Sequence, residues 1–131
     1  MQNLEQKRAA HALKSAPFIE TGKEGGEIVK KIPPLIMDNG ILASMAFACE
    51  TKGNRDLKNK GHHSVFMACI DHLKKNTDLK IPVEVCTDVR SFLKWMSSAI
   101  SSGQLRAITT ETLAYLAYLR RFVQKKEKNH D

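Results

Sequence analysis

The sequence lacks the features of membrane-spanning and secreted proteins. No apolar run approaches the roughly 20 residues that cross a bilayer, and the charged N-terminus MQNLEQKRAA differs from a secretory signal. The three cysteines are odd in number and irregularly spaced, which predicts free, mostly buried thiols and no disulfide framework. We therefore expect a cytoplasmic protein with no membrane partner.

Catalytic signatures are also absent. The chain has no Walker glycine loop, nucleophile elbow, HExxH motif or paired carboxylates suited to magnesium. We expect no enzymatic activity and no cofactor. One alternative is a metal-dependent helical enzyme, because Cys69 and His72 lie one helical turn apart, close in sequence to His62 and His63. Zinc sites usually show two close ligand pairs, so we predict no metal ligands.

The chain is positively charged, and its apolar residues recur with helical spacing. The formal net charge is +7, and basic residues outnumber acidic ones in three segments, 1–31, 52–76 and 103–131. Such a surface attracts polyanions, above all nucleic acid, without reading sequence. A generally basic, soluble surface is the alternative explanation.

The apolar residues recur with a period near 3.6 almost throughout, which predicts an all-α, single-domain helical bundle of about five or six helices over residues 1–131. Asn3 is expected to cap the first helix, and Pro17 to kink or end it. The glycines in TGKEGGE, 21–27, predict a loop. Residues 77–86, which contain Pro82, are expected to form an extended connection.

Residues 28–47, IVKKIPPLIMDNGILASMAF, are apolar yet contain two prolines and an Asn-Gly pair. The pattern predicts either a kinked helix or a new helix that begins at Pro33. Asn39 and Gly40 are expected to end it, and ILASMAFAC to form a second short helix. A β-hairpin is rejected because the flanking residues do not alternate.

The remaining helices have predicted buried faces. A helix after residue 61 is expected to bury Phe66, Ile70 and Leu73 and to leave its histidines mostly at the boundary or the surface. The next helix, capped by Thr87 or Asp88, is expected to bury Val89, Leu93, Trp95 and Met96. The longest helix is expected to bury Leu105, Ile108, Thr112, Tyr115, Leu116, Leu119 and Val123. Residues 51–61, TKGNRDLKNKG, are interpreted as a basic, flexible connector.

Three segments resemble a known family. NLEQKRAAHAL, KKIPPLIMDNG and ETLAYLAYLRRF are similar, in this order, to the signature regions of the small subunit of type III-B CRISPR effector complexes, the Cmr small-subunit family. The match departs after Gly40, where the family often has Leu-Gly-Gln and this chain has Ile41, Leu42 and Ala43. The connector at 52–61 matches none of the signature regions.

The resemblance implies a non-catalytic structural subunit of a ribonucleoprotein complex in antiviral defence. Copies of the subunit would stack beside other Cmr-complex proteins and help form a basic channel for target RNA paired to guide RNA. The basic residues in the matching segments are the expected nucleic-acid contacts: Lys7, Arg8, Lys30, Lys31, Arg106, Arg120 and Arg121.

The competing hypothesis is that the protein is a DNA-binding helix-turn-helix regulator. That class requires an exposed recognition helix with polar side chains after the turn. Here the segment after Gly40 is strongly apolar, which favours the structural subunit.

Overall fold

The structure of the protein is a computed structural model that describes residues 1–21 and 26–123. Six α-helices occur in these residues: α1 Leu4–Ser15, α2 Glu27–Asn39, α3 Ile41–Ala48, α4 Lys60–Asn76, α5 Val89–Ser98 and α6 Ser102–Phe122. Short 3-10 turns cover Ala16–Phe18 and Val83–Val85. The predicted all-α bundle is confirmed. The loop predicted at 21–27 lies mostly outside the described residues.

Helix α4 is the centre of the bundle. It packs against all five other helices, while α1 also packs on α6, α2 on α3 and α6, and α3 on α5. Its residues Phe66, Ile70 and Leu73 are wholly buried, as predicted. The buried apolar side chains of all six helices form one cluster.

Polar side chains cap the helices where the sequence suggested. Asn3 accepts a hydrogen bond from the Gln6 N–H at 2.8 Å and forms a capping box with it. Asp88 accepts one from the Ser91 N–H at 2.7 Å at the start of α5. These caps satisfy N–H groups that the first helical turn leaves without a partner.

Helix α2 runs through both prolines without ending, so the predicted alternative of a new helix that begins at Pro33 is wrong, and a single helix contains Pro33 and Pro34. Because proline has no N–H, the carbonyls four residues earlier lose their usual helical donors. The helix is held by its buried face of Ile28, Val29, Ile32 and Ile36.

Gly40 joins α2 to α3. Its φ of 88° is disfavoured for residues with a Cβ. Its N–H donates to the Ile36 carbonyl at 2.7 Å, and its own carbonyl accepts from the Ser44 hydroxyl at 2.8 Å. Gly40 therefore takes part in the last turn of α2 and the first turn of α3, and the predicted helix–turn–helix joint is confirmed.

The predicted buried faces of α5 and α6 were wrong in part, and in α6 Leu105 is only partly buried. In α5 the buried residues are Val89, Phe92 and Met96, whereas Leu93 and Trp95 are only partly buried. The face that meets the core is centred on Phe92, which the sequence interpretation omitted. In α4, His62 and His63 lie at the boundary as predicted, and His72 is the exception because it is wholly buried.

The basic connector between α3 and α4 is hydrogen-bonded within itself. Lys52 N–H donates to the Asp56 carbonyl at 2.8 Å, and Lys58 N–H donates to the Glu50 carbonyl at 2.9 Å. The Asn59 side chain donates to the Phe47 carbonyl at 2.9 Å, which ties the connector to the end of α3. Its cationic side chains are exposed.

Candidate functional site

Five of the predicted nucleic-acid contacts are exposed. Lys30 and Lys31 lie near the start of α2, and Arg106, Arg120 and Arg121 lie on α6. The Lys30 ammonium is 3.4 Å from a Glu27 carboxylate oxygen, across an exposed pair. Pairs of this kind contribute little free energy and remain accessible to other anions.

Two contacts show how α2 lies relative to α6. At one end, Asn39, the last residue of α2, and the following Gly40 line the same surface depression as Arg106 of α6. At the other end, the start of α2 lies against the start of α4, where Ile28 meets Gly61.

The contacts between α4 and α6 show that these two helices run antiparallel. His72 meets Glu111 on α6, while Cys69, earlier in α4, lies near Tyr115, later in α6. The start of α2 and the C-terminal end of α6 therefore lie toward the same end of the bundle. Lys30, Lys31, Arg120 and Arg121 share that end, and Arg106 lies toward the other.

The two predicted contacts in α1 differ from these five. Lys7 is partly buried. The Arg8 guanidinium makes a bidentate pair with Glu111, with Nε to Oε2 and Nη2 to Oε1 both at 2.7 Å. This geometry is the strong form of an arginine–carboxylate pair. Glu111 occupies one edge of the Arg8 guanidinium. Only the remaining edge can bind an external anion.

Glu111 is the centre of an interior polar network. Its Oε2 also accepts a hydrogen bond from His72 Nε2 at 2.9 Å, and His72 Nδ1 accepts one from the Asn76 amide at 3.1 Å. Burial alone would raise the pKa of Glu111, but the hydrogen bonds from Arg8 and His72 outweigh it, so the pKa lies below its usual value. Burial lowers the pKa of His72 and outweighs its bond to Glu111. A neutral imidazole with its proton on Nε2 satisfies both partners of His72.

A second part of the network surrounds His11. Its Nε2 donates to Asp71 at 2.7 Å, and its Nδ1 accepts from the Tyr115 hydroxyl, also at 2.7 Å. The Ser15 hydroxyl lies 3.2 Å from the same Nδ1. Ser15, His11 and Asp71 thus share the connectivity of a hydrolytic triad. Tyr115 occupies the imidazole nitrogen that a nucleophilic serine needs, so we interpret this set as structural.

The sequence carried a signal for this network that our interpretation missed. Glu111 lies three residues after Ile108 and four before Tyr115, so it falls on the buried face of α6. A carboxylate on such a face requires a buried partner. Arg8 and His72 are those partners, but spacing along the chain does not identify them.

The possible metal ligands are not brought together. Within residues 1–21 and 26–123, no group of three or more histidine, cysteine, aspartate or glutamate side chains is placed to hold a metal ion. His72 instead bonds to Glu111 and Asn76. Cys69 is a buried free thiol whose pKa is raised by burial.

Helix α3, which follows the Asn-Gly joint, has apolar exposed residues, namely Ala43, Ala46 and Phe47. Its residues Ile41, Ser44, Met45 and Ala48 are buried, and it packs on α2, α4 and α5. A recognition helix must present polar side chains to a groove.

A search for membrane spans among the helices of residues 1–21 and 26–123 finds none with the length and hydrophobicity that crossing a bilayer requires.

The fold and these sites together define a small helical bundle with exposed cationic side chains and an interior ionic network. A family model described as CRISPR-associated protein (Cas_Cmr5) matches residues 4–126. The chain belongs to this family, the small subunit of type III-B CRISPR systems. No curated protein and no solved structure matches the chain.

Proposed function

We propose that this protein is a non-catalytic structural subunit of a type III-B CRISPR ribonucleoprotein, and that its copies stack beside the other protein subunits. Its exposed cations help to form a channel for target RNA paired to guide RNA. Family membership supports the assembly, and the position of Lys30, Lys31, Arg120 and Arg121 toward one end of the bundle supports the RNA contact.

The RNA contacts in this proposal are to phosphate. Lysine and arginine side chains on helix surfaces bind phosphate without reading bases, and they release counterions when they do so. Contacts of this kind are weak in one subunit. Several copies along one duplex would combine them into useful affinity.

The test uses the complete effector complex reconstituted with variants of this subunit. Lys30→Ala with Lys31→Ala, and Arg120→Ala with Arg121→Ala, should weaken target-RNA binding about equally for unrelated sequences. The dependence of log affinity on log salt should flatten by about one unit per lost phosphate contact. Arg90→Ala with Lys94→Ala removes two exposed charges from α5 and is the matched control.

An unchanged affinity and salt dependence, together with a complex that separates into smaller pieces, would show that these side chains join subunits and do not contact RNA.

A separate assay tests the proposed absence of catalysis. The purified protein, incubated with labelled RNA and divalent metals, should leave the RNA intact. Cleavage that a point substitution in this chain abolishes would contradict the proposal.

A further inference from the structure

The joint between α2 and α3 contains the only Asn-Gly pair in the sequence, Asn39 and Gly40. Both residues are exposed to water. In an Asn-Gly pair the backbone nitrogen of glycine can attack the side-chain amide carbon of asparagine, because glycine has no Cβ to crowd the approach. The joint therefore carries a pair of groups that can react with each other.

This reaction is a deamidation, and the two residues and water supply all of its atoms. The Gly40 nitrogen loses its proton to solvent and forms a bond to Asn39 Cγ. The bond between Cγ and Nδ2 of Asn39 breaks, and Nδ2 leaves as ammonia. Water then opens the resulting five-membered imide. Hydrolysis on one side gives aspartate, and hydrolysis on the other side gives isoaspartate, in which the main chain runs through Cβ and Cγ.

The closed joint holds both reacting groups in hydrogen bonds. The Gly40 N–H donates to the Ile36 carbonyl at 2.7 Å, so its proton is engaged. The Asn39 side-chain amide donates to the Leu35 carbonyl at 3.3 Å, which directs it back along α2. Asn39 is also the last helical residue of α2, and ring closure requires its peptide bond to Gly40 to turn out of the helical direction. The closed joint is therefore unreactive.

The last turn of α2 can open while the bundle stays folded. Ile36 is the last buried side chain of this helix, and the following Met37, Asp38 and Asn39 are exposed. Opening therefore uncovers little apolar surface, and helix ends are the usual sites of local unfolding. It releases the Gly40 N–H from the Ile36 carbonyl.

Ser44 holds the same joint from the side of α3. Its hydroxyl donates to the Gly40 carbonyl at 2.8 Å, and its N–H donates to the same carbonyl at 3.1 Å. The Ser44 side chain is wholly buried. Loss of its hydroxyl would leave Gly40 less firmly held without changing any residue next to the reacting pair.

We propose that Asn39 is a deamidation site and that opening of the joint between α2 and α3 controls its rate. Only the fraction of molecules in which the last turn of α2 is open reacts at a given moment. This modification site is separate from the proposed RNA contacts and does not depend on them.

The product changes the joint irreversibly. Aspartate at position 39 places a second carboxylate beside Asp38 at the carbonyl end of α2, where negative charge is unfavourable. Isoaspartate adds one atom to the main chain between two packed helices. Asn39→Asp reproduces the first product and should speed hydrogen exchange of the Gly40 N–H. Exchange as slow as in the wild type would contradict this effect of the product.

The experiment follows deamidation of the purified full chain in mildly alkaline buffer, with and without a denaturing concentration of guanidinium chloride. Trypsin releases residues 32–52, which contain one asparagine and no glutamine, so the mass gained by this peptide reports Asn39 alone. The folded protein should react at least about tenfold more slowly than the denatured protein. Equal rates would overturn the proposal.

Ser44→Ala tests the control by the joint. It should speed deamidation of the folded protein roughly twofold to tenfold, the change in an opening equilibrium that one lost hydrogen bond produces. In guanidinium chloride it should react like the wild type, because the sequence around Asn39 is unchanged. Ser98→Ala is the matched control: it removes a hydroxyl that donates to the Lys94 carbonyl at 2.9 Å in α5, and it should leave the rate unchanged. Equal rates for the two variants would contradict the proposal.

Low concentrations of denaturant distinguish opening of the joint from unfolding of the whole chain. Local opening exposes little surface, so the deamidation rate should rise only slightly before the unfolding transition. A rate that follows global unfolding with its full dependence on denaturant would show that the joint does not open by itself. The assay contains no RNA and no other subunit, so neither result bears on the RNA contacts proposed above.

Discussion

The imidazole of His72 stacks on the ring of Tyr115, with ring centroids 4.4 Å apart and planes within 9° of parallel. Both side chains are wholly buried. The stack fixes the imidazole plane, so that Nε2 faces Glu111 and Nδ1 faces Asn76. The aromatic contact between α4 and α6 thereby orients the hydrogen bonds of the ionic network.

The first prediction concerns Glu111. Glu111→Ala should lower the free energy of unfolding by about 2–4 kcal/mol, because Arg8 and the buried His72 each lose their acceptor. Urea unfolding followed by circular dichroism measures this change. Glu84→Ala, which removes an exposed carboxylate without an ion-pair partner in the described residues, should stay within about 0.5 kcal/mol of wild type.

A double-mutant cycle isolates the Arg8–Glu111 pair. Once Arg8→Met has removed the guanidinium, Glu111→Ala should cost less than it does in the wild-type background. If the two costs simply add, the bidentate pair does not contribute to stability as its geometry indicates.

The second prediction concerns acid sensitivity. The pKa of His72 is lower in the folded protein than its ordinary value of about 6.5. The unfolded chain therefore binds a proton first, and stability falls as the pH drops below about 6.5. The loss from this one group is limited to ~1.4 kcal/mol per pH unit. His72→Gln, whose amide can donate to Glu111, should flatten the profile between about pH 7 and 5.

Glu111 affects the stability of the fold at lower pH than His72 does. Its pKa is depressed in the folded protein, so its stabilising effect is present above the ordinary glutamate value of about 4.3 and is lost as the pH falls through the depressed value. Chemical unfolding at a series of pH values separates the two windows. A His72→Gln profile identical to wild type between pH 7 and 5 would show that His72 does not control the upper window.

The third prediction compares two helical glycines. A Cβ at Gly61 would lie 2.9 Å from the Glu20 carbonyl oxygen and 2.9 Å from Ile28 Cγ1. Gly61→Ala should therefore destabilise the protein by about 1–3 kcal/mol, despite the better helix propensity of alanine. Thermal unfolding followed by circular dichroism gives the comparison.

Gly103 is the matched position in α6. A Cβ there would have its nearest neighbour, Ser101 Oγ, at 3.8 Å, which is an ordinary contact. Gly103→Ala should be neutral or stabilising by up to about 1 kcal/mol. Equal effects of the two substitutions would mean that the close approach of Glu20 and Ile28 to Gly61 of α4 is not a constraint.

Local sequence rules predicted most of the helices because caps, periodicity and glycine act over a few residues. Asn3, Asp88 and Gly40 end or begin helices as expected. The rules did not decide how the chain passes Pro33 and Pro34. That outcome depends on how much apolar surface the rest of the bundle covers on α2.

The contacts between buried side chains could not be predicted from local sequence in the same way. Phe92 and Trp95 are both apolar residues of α5, and only the neighbouring helices decide which one faces the core. The partners of Glu111 come from α1 and α4, at separations that no local pattern encodes. The roles of Lys30, Lys31, Arg120 and Arg121 stay predictions, because exposure alone does not identify what they bind.

The pairing of α1 with α6 has a consequence for biosynthesis. Arg8 and Glu111 are separated by 103 residues, and Glu5 and Tyr118 by 113. At about 5–20 residues per second, α1 leaves the ribosome roughly 5–20 s before its partner helix exists. Helix α4 is synthesised earlier and can already cover part of α1, but the side of α1 that packs on α6 has no partner until then, so α1 completes its docking only after α6 is synthesised. Contacts of such long range also raise the contact order and slow folding relative to a bundle of sequential hairpins.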